Sequence, residues 1–149
     1  MLPIPLVLCG KAPRVAIAVR DGLRPTYEAI HIVTSVEAGI ADIPSLLLGN
    51  RPQVTDPDNL GSQRYGRQPL AVIIGGGYSD ADFAAMRESC HGISTVPWLR
   101  HAITTSPPPN SSKPILGPEY GKEIAERVTR CLRDLADDGK LNSDGVYYF

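Results

Sequence analysis

The chain has 149 residues, a formal net charge of −1 at pH 7, and 42% hydrophobic residues. This length fits one domain, residues 1–149, that can bury a core without metal or disulfide support. The small net charge argues against nucleic acid as a partner, and no apolar run approaches the roughly 20 residues of a membrane span.

The cysteines and the start of the chain bear on the compartment. Cys9, Cys90 and Cys131 are odd in number, far apart, and placed in or beside apolar segments, as small buried hydrophobic residues are. The first residues lack the basic region and long apolar stretch of a secretory signal. We therefore expect reduced thiols and a cytoplasmic protein.

The chain opens with a pattern of strand, turn and helix. An unbroken apolar run at 4–9 predicts a parallel strand covered on both faces. A turn at Gly10 follows, and Pro13 takes the favoured first position of a helix that ends near Gly22. The β-branched and aromatic run 27–34 predicts a second strand, which completes a βαβ unit.

Ser35 is a predicted N-cap for a second helix with Ile40 and Ile43 on its buried face, and Pro44 is expected to stop that helix. Residues 50–68 show neither helical nor strand periodicity. They predict a long loop, partly ordered at best, of the kind that serves as a functional lid or is disordered.

The strand–turn–helix pattern then occurs a second time. The apolar run 70–74 leads into three glycines, and Ser79 to Asp82 has the form of a capping box at the start of a helix. A brief strand is expected at 94–97, after which the chain leaves the sheet. Residues 101–117 predict a Pro-rich linker, and 118–138 predict the C-terminal helix. The aromatic tail is expected to dock on this domain or on a partner chain.

These elements predict a single three-layer α/β domain of Rossmann-like type. Its sheet has four parallel strands in the order 2-1-3-4, with helices on both faces. The two most apolar strands take the centre, so the turns at Gly10 and Gly75 face each other across one crevice. Ligands of open α/β sheets bind beyond the carboxyl ends of the strands at such a point.

The Gly10 turn departs from the dinucleotide fingerprint GxGxxG, because its three glycine positions read Gly10, Ala12 and Val15. A methyl group at Ala12 crowds the pyrophosphate path, and Pro13 removes an N–H that would bind phosphate. No acidic residue ends the second strand to bind ribose hydroxyls, although Thr34 there suits a 2′-phosphate. NAD or NADP is thus one interpretation, and a purely structural turn is the other.

The Gly75–Gly77 turn has more glycine than a turn requires, which favours close approach of a ligand. Ser79 begins a helix whose N–H groups and dipole suit a small anion, so this turn is expected to be the better half of the site. Tyr78 is expected to stack on a ligand or to cover the sheet edge. The candidate ligand-binding residues are Gly10, Lys11, Ala12, Arg14, Thr34, Gly75, Gly76, Gly77, Tyr78, Ser79 and Arg100.

The other conspicuous side chains favour structural interpretations. His31 is expected to be a satisfied packing residue, and Trp98 is expected to plug the core. His91 and His101 lie at element ends without an evident acid partner. Searches for the Tyr-x-x-x-Lys pair, the G-x-S-x-G elbow, the Walker lysine and zinc-type Cys/His spacing find none, so no catalytic or metal-binding residue is assigned.

Several short motifs spread over 6–149 resemble those of a group of small Rossmann-like proteins of filamentous fungi. The resemblance implies a compact Rossmann-type fold and a homodimer, with no activity to carry over. It rests on Gly10-x-x-Pro13, Glu37-Ala38-Gly39, Asn59-Leu60-Gly61, Gly75-Gly76-Gly77-Tyr78, Val96-Pro97-Trp98-Leu99-Arg100, Leu116-Gly117-Pro118-Glu119-Tyr120-Gly121 and Asp144-Gly145-Val146-Tyr147.

Three functional hypotheses follow. The first is a small-molecule binding protein that holds a nucleotide or other anionic ligand between the two glycine turns. The second is a non-catalytic homodimeric scaffold with a degenerate dinucleotide site. The third is a reductase or hydrolase that uses His101 or His31.

Overall fold

The computed structural model describes residues 3–54, 56–101 and 118–149, and these contain five strands and four helices. The strands are β1 (Ile4–Cys9), β2 (Tyr27–Val33), β3 (Val72–Ile74), β4 (Pro97–Arg100) and β5 (Gly145–Tyr148). The helices are α1 (Pro13–Leu23), α2 (Val36–Leu47), α3 (Asp80–Ser89) and α4 (Pro118–Asp137).

The strands form one parallel sheet in the order β2-β1-β3-β4-β5. The predicted order of the first four strands is confirmed, whereas the prediction of four strands is wrong. The fifth strand is the aromatic tail, in which Val146 pairs with Trp98 and Tyr147 with Leu99. The tail therefore docks on its own domain by adding a strand to the edge of β4 that β3 leaves free.

Helices cover both faces of the sheet, and strand alternation divides the core into two clusters. On one face Leu6 and Leu8 of β1 pack with α1 and α4. On the other face Val7 and Cys9 pack with α2 and α3. The uninterrupted apolar run of β1 is therefore needed because both of its faces are buried.

The fourth strand lies further along the chain than the predicted 94–97. Pro97 begins it, and Trp98 and Leu99, expected to leave the sheet, are completely buried on opposite faces. Proline is tolerated at the first residue of a strand, so it marks the start of β4 rather than its end. The prediction that Trp98 plugs the core is confirmed.

The second helix continues through Pro44, which was expected to stop it. Ser35 caps this helix as predicted, since its hydroxyl accepts from the backbone N–H of Ala38 at 3.1 Å. The buried face contains Gly39, Ile43 and Leu47, and Ile40 is 42% exposed instead of buried. Burial of that face compensates for the backbone hydrogen bond that proline removes.

The long segment after α2 is anchored along the outer edge of β2. The backbone N–H groups of Ser62 and Gln63 donate to the carbonyls of Ala29 and Ile30, each at 2.9 Å. The Asn59 side chain accepts from the N–H of Ile32 at 3.0 Å and donates to its carbonyl at 2.8 Å. These bonds satisfy backbone groups of β2 that an edge strand otherwise leaves open.

Buried polar side chains hold this segment in place. His31 lies between Tyr65, whose hydroxyl is 2.7 Å from Nδ1, and Asp42, whose carboxylate is 3.0 Å from Nε2. The buried carboxylate of Glu28 pairs with Arg67 at 2.7 Å and with Arg64 at 3.3 Å. His31 is thus a satisfied packing residue, as predicted, and it ties the long loop to β2 and α2.

Apart from His101, the predicted Pro-rich linker lies outside the described residues. The C-terminal helix begins at Pro118 and buries the predicted stripe of Ile124, Val128, Leu132 and Leu135. Within the ranges that the structure describes, no helix is both long enough and apolar enough to cross a membrane.

Candidate functional site

The two glycine turns lie side by side where the central strands end. The N–H of Gly75 donates to the carbonyl of Cys9 at 2.9 Å, which joins the end of β3 to the end of β1. A Cβ at Gly75 would approach that carbonyl oxygen to 3.1 Å, so the close fit favours glycine. The layout therefore brings Gly10 and Gly75 together, as the strand order predicts.

The start of α3 is closed by its own side chains. The Ser79 hydroxyl accepts from the N–H of Asp82, and the Asp82 carboxylate accepts from the N–H of Ser79, both at 3.1 Å. This is the predicted capping box, with Asp80 adding a second acid in the first turn. The Asp82 carboxylate thus occupies the N–H of Ser79, the Ser79 hydroxyl occupies that of Asp82, and two carboxylates already lie at the positive end of the helix dipole.

The N-terminus of α1, unlike that of α3, has no side-chain cap from its N-cap residue. Ala12 is its N-cap, and no side chain within the described ranges caps it. Pro13 follows at the first helical position, and the first turn contains no acidic residue. The amides of this turn therefore keep their capacity to donate to a ligand or to water.

The two cations nearest the turns are already paired with α3. Lys11 lies 3.2 Å from the Asp82 carboxylate, and Arg100 lies 2.6 Å from that of Asp80. The N–H of Ser79 and then the Lys11 ammonium hold the pKa of Asp82 below its ordinary value. An anionic ligand would therefore meet two carboxylates beside the cations it needs.

Tyr78 is buried beneath the Gly75 turn. Its hydroxyl donates to the carbonyl of Val33 at 3.0 Å, and the same carbonyl accepts from the N–H of Gly10 at 2.8 Å. Burial raises the pKa of the Tyr78 phenol, and the Lys11 ammonium lies 5.1 Å from its ring centroid. Of the two predicted roles, Tyr78 covers the sheet edge, and its ring is not presented for stacking on a ligand.

A small crevice opens between these turns and the pair of helices α1 and α4, with a volume of about 50 Å³. Its walls are almost entirely apolar. The side chains and glycines that line it are Leu8, Cys9, Gly10, Val15, Ala16, Val19, Ile73, Gly75, Gly76, His101, Tyr120, Ile124 and Phe149. The crevice thus lies at the carboxyl ends of β1 and β3, where parallel sheets bind ligands.

His101 lines this crevice and carries an unusual polar group. Its Nε2 lies 3.3 Å from a guanidinium nitrogen of Arg127. Its Nδ1 is buried, and within residues 3–54, 56–101 and 118–149 it has no hydrogen-bond partner. Burial, and then the charge of Arg127, lower the pKa of His101, so the imidazole is neutral at neutral pH.

The structure brings only some of the predicted site residues to the crevice. Gly10, Gly75 and Gly76 line it, whereas Arg14 and Thr34 are exposed and are not among its lining residues. Lys11 packs against the Gly77 turn, since a Cβ at Gly77 would lie 3.4 Å from that of Lys11.

Sequence reasoning did not assign the α4 wall of the crevice, which Tyr120 and Ile124 provide, or the contribution of Phe149. Tyr120, Ile124 and Phe149 are distant in sequence from the glycine turns, and they belong to no recognisable ligand-binding motif. In the sequence, His101 is a histidine at an element end without an evident acid partner, and it is one of the two histidines of the enzyme hypothesis. The signal that singles it out, an unpartnered buried nitrogen, exists only in three dimensions.

A larger open groove, of about 350 Å³, lies near the C-terminal end of α3. The lining segment 90–94 precedes β4 and Asp144 precedes β5, so this groove is at the amino ends of the strands. Its main charges, Arg87 and Asp144, are already paired at 2.6 Å. We therefore place the candidate site in the smaller crevice.

Together these features define an α/β protein with a five-stranded parallel sheet and a small apolar crevice at its carboxyl edge. The chain is 32% identical over 147 residues to Kojic acid related protein 6 of Aspergillus oryzae, an alignment that covers 97% of this chain and 86% of that protein. It therefore belongs to the family of that fungal protein, which agrees with the fungal resemblance noted from its motifs. No family model matches the chain. No solved structure matches it either.

Proposed function

We propose that this protein is a Rossmann-like small-molecule binding protein whose ligand lies in the crevice between the Gly10 turn and the Gly75–Gly77 turn. The observation that carries the proposal is the crevice itself, an apolar space at the carboxyl ends of the two central strands. Nδ1 of His101 is a buried side-chain nitrogen without a hydrogen-bond partner among the described residues, and it supports a ligand rather than a simple packing defect.

The glycine turns in the sequence predict a nucleotide or other anion, such as NAD or NADP, as the ligand. Such a ligand would sit at the rim, with Lys11, Arg14 and Arg100 as its cations. The ion pair of Lys11 with Asp82 is partly exposed, so an anionic ligand could break it at little cost. The carboxylates would remain beside the anion, however, so a compact uncharged molecule fits the crevice better as it stands.

The name of the Aspergillus oryzae relative connects that protein with kojic acid. For the present chain this supports a small organic molecule as the ligand class. Kojic acid is therefore included among the compounds to be tested.

The test of the proposed function is native mass spectrometry of the purified protein, followed by calorimetric titration with NAD, NADP, ATP and kojic acid. Val15→Phe fills the crevice from α1, and Val36→Phe is the matched control at the start of α2, on the opposite face of the sheet. We expect a small molecule that binds the wild type and Val36→Phe but not Val15→Phe. The proposal fails if nothing co-purifies and no compound binds at millimolar concentration.

The second candidate function is a homodimeric scaffold. The observation that favours it is the outer edge of β5, which pairs with no strand in the described part of the chain, together with Tyr148 at 60% exposure. Light scattering tests this candidate. Tyr148→Lys on this edge should turn a dimer into a monomer. Leu48→Lys, at an equally exposed position just after α2, is the control and should leave the dimer intact. A monomeric wild type would remove this candidate.

A further inference from the structure

The protonation of His101 is determined by its neighbour. A guanidinium group has only donors, so the contact with Arg127 makes Nε2 of His101 the acceptor. In a neutral imidazole the other nitrogen then carries the proton. Nδ1 is therefore an N–H donor, buried and without a partner among the described residues.

A buried donor without an acceptor is costly, and folded proteins satisfy nearly all such groups. A ligand that supplies an acceptor oxygen removes this cost when it binds. The group must also bring no donor of its own, because the rest of the crevice is apolar. A carbonyl oxygen meets both requirements, whereas a hydroxyl group brings an O–H that would itself need an acceptor.

The crevice also selects against charge. Transfer of a carboxylate or phosphate into apolar surroundings is expensive unless several donors compensate it. Lys11 and Arg100 are already paired with Asp82 and Asp80. Arg127, which contacts Nε2 of His101, also donates to the carbonyl of Phe149 at 2.9 Å. A neutral ligand avoids both penalties.

The size of the space limits the enclosed part of the ligand. A cavity that holds one buried water needs about 10–15 Å³. A crevice of about 50 Å³ therefore encloses a group of a few heavy atoms, and not a dinucleotide.

We infer that the crevice takes a compact neutral molecule whose carbonyl oxygen accepts the Nδ1–H of His101, with its hydrocarbon part against Val15 and Ile73. This inference rests on the proposed function, since it names the ligand class of the same crevice. His101 is then the specificity-determining residue. Arg127 is a positioning residue that holds the imidazole in the required tautomer.

The test compares three probes of similar size by protein-observed NMR: cyclopentanone, cyclopentane and butanoate. We expect the wild type to bind cyclopentanone about tenfold more tightly than cyclopentane, which is what one well-made hydrogen bond supplies. The Nδ1 resonance of His101 should shift with cyclopentanone alone, and butanoate should bind most weakly.

Three variants separate the two ring nitrogens. His101→Asn places an amide donor near the position of Nδ1 and should keep part of the preference for cyclopentanone. His101→Gln reaches the position of Nε2 instead, and His101→Phe has no donor, so both should bind cyclopentanone and cyclopentane alike. His91→Phe, an exposed histidine away from the crevice, is the matched control and should behave like the wild type.

The outcomes distinguish this inference from the proposed function. Equal binding of cyclopentanone and cyclopentane to the wild type would overturn the role of His101 and leave crevice binding intact. Tighter binding of butanoate than of cyclopentanone would overturn the neutral ligand class. If none of the three probes binds, this inference is overturned, whereas the proposed function is decided separately by the co-purification and titration experiment.

Discussion

The two glycine turns occupy equivalent places, each between a central strand and the helix that follows it, yet they are completed in opposite ways. The turn before α3 is closed by the capping box of Ser79 and Asp82, and Tyr78 is buried beneath it. The turn before α1 has Ala12 as an uncapped N-cap and no acid in its first turn.

This difference shows that glycine content alone does not identify the ligand-binding half of a crevice. Three glycines make the Gly75–Gly77 turn look open, but the acids that follow them already occupy the helix end. The Gly10 turn has only one glycine, and it borders the apolar crevice on the side of α1 and α4. The sequence favours the Gly75–Gly77 turn as the better half of the site, whereas the structure favours the Gly10 side.

The largest effect is expected where α4 closes over α1, because this contact forms the outer wall of the crevice. A Cβ at Gly121 would collide with the Cβ of Ala18 and approach the backbone of Val15 and Val19 to 3.1 Å. Gly121→Ala should therefore lower the free energy of unfolding by about 2–3 kcal/mol, measured with urea.

The matched control for this prediction is Gly39→Ala in α2. There the added Cβ would meet only side-chain atoms, those of Met86 at 2.7 and 3.2 Å and of Val33 at 3.3 Å, so the loss of stability should be smaller than at Gly121 by about 1 kcal/mol or more. Equal effects at the two glycines would contradict the close α1–α4 packing described above.

The second prediction concerns the closed turn. Ser79→Ala removes the hydroxyl that caps α3 and should cost about 1–2 kcal/mol in thermal unfolding. Thr34→Ala, at an exposed position that caps no helix, should change stability by less than about 0.5 kcal/mol. If the two variants unfold alike, the capping box does not close this turn.

The third prediction concerns the open turn. Ala12 has φ −98° and ψ 107°, the extended backbone that an N-cap residue adopts. Ala12→Ser should therefore stabilise the protein by about 0.5–1 kcal/mol, because the new hydroxyl accepts from amides that have no side-chain cap. No gain in the melting temperature would mean that those amides already have partners.

The smallest effect is a pH dependence at the closed turn. The folded state holds the pKa of Asp82 below the ordinary value, first through the N–H of Ser79 and then through Lys11. The resulting stability is fully present above the ordinary carboxyl pKa of about 3.9 and is lost as the pH falls through the lower folded pKa. Carbon-detected NMR titration should show this low pKa, and Lys11→Met should raise it. A normal pKa in the wild type would contradict the pairing.

Much of the fold follows from local sequence signals. The apolar run of β1, the β-branched run of β2 and the Ser79 capping box are each sufficient to place their elements. The order of the first four strands follows from placing the most apolar strands in the centre. The burial of Trp98 was also predicted, because a large aromatic side chain at a strand end commonly fills the core. The hydrogen bonding of His31 was predicted because a histidine on a strand face is usually a satisfied packing residue.

The parts that could not be predicted depend on tertiary contacts. The tail became a fifth strand because β4 offers an edge for it, and nothing in four residues of sequence reveals that edge. Helix α2 passes Pro44 because its buried face outweighs one lost hydrogen bond. Asn59 covers the edge of β2 by bonding the backbone of Ile32 with its side-chain amide, and such a contact leaves no hydrophobic periodicity in the sequence.

The candidate site shows the same division. The sequence places both turns at one edge of the sheet, and it contains the acids Asp80 and Asp82. It does not show that they pair with Arg100 and Lys11, because such pairing depends on how α3 lies against β4 and the Gly10 turn. His101 likewise becomes notable only when its buried Nδ1 is found without a partner among the residues that the structure describes.

The most direct test of the difference between the turns is a ¹H–¹⁵N chemical-shift map of the wild-type protein titrated with cyclopentanone. The account predicts shifts at Gly10, Val15 and His101, which border the crevice, with the capped amide of Asp82 unchanged. Shifts centred on Ser79 to Asp82, with the α1 amides unmoved, would show that the ligand binds at the closed turn and would contradict the account.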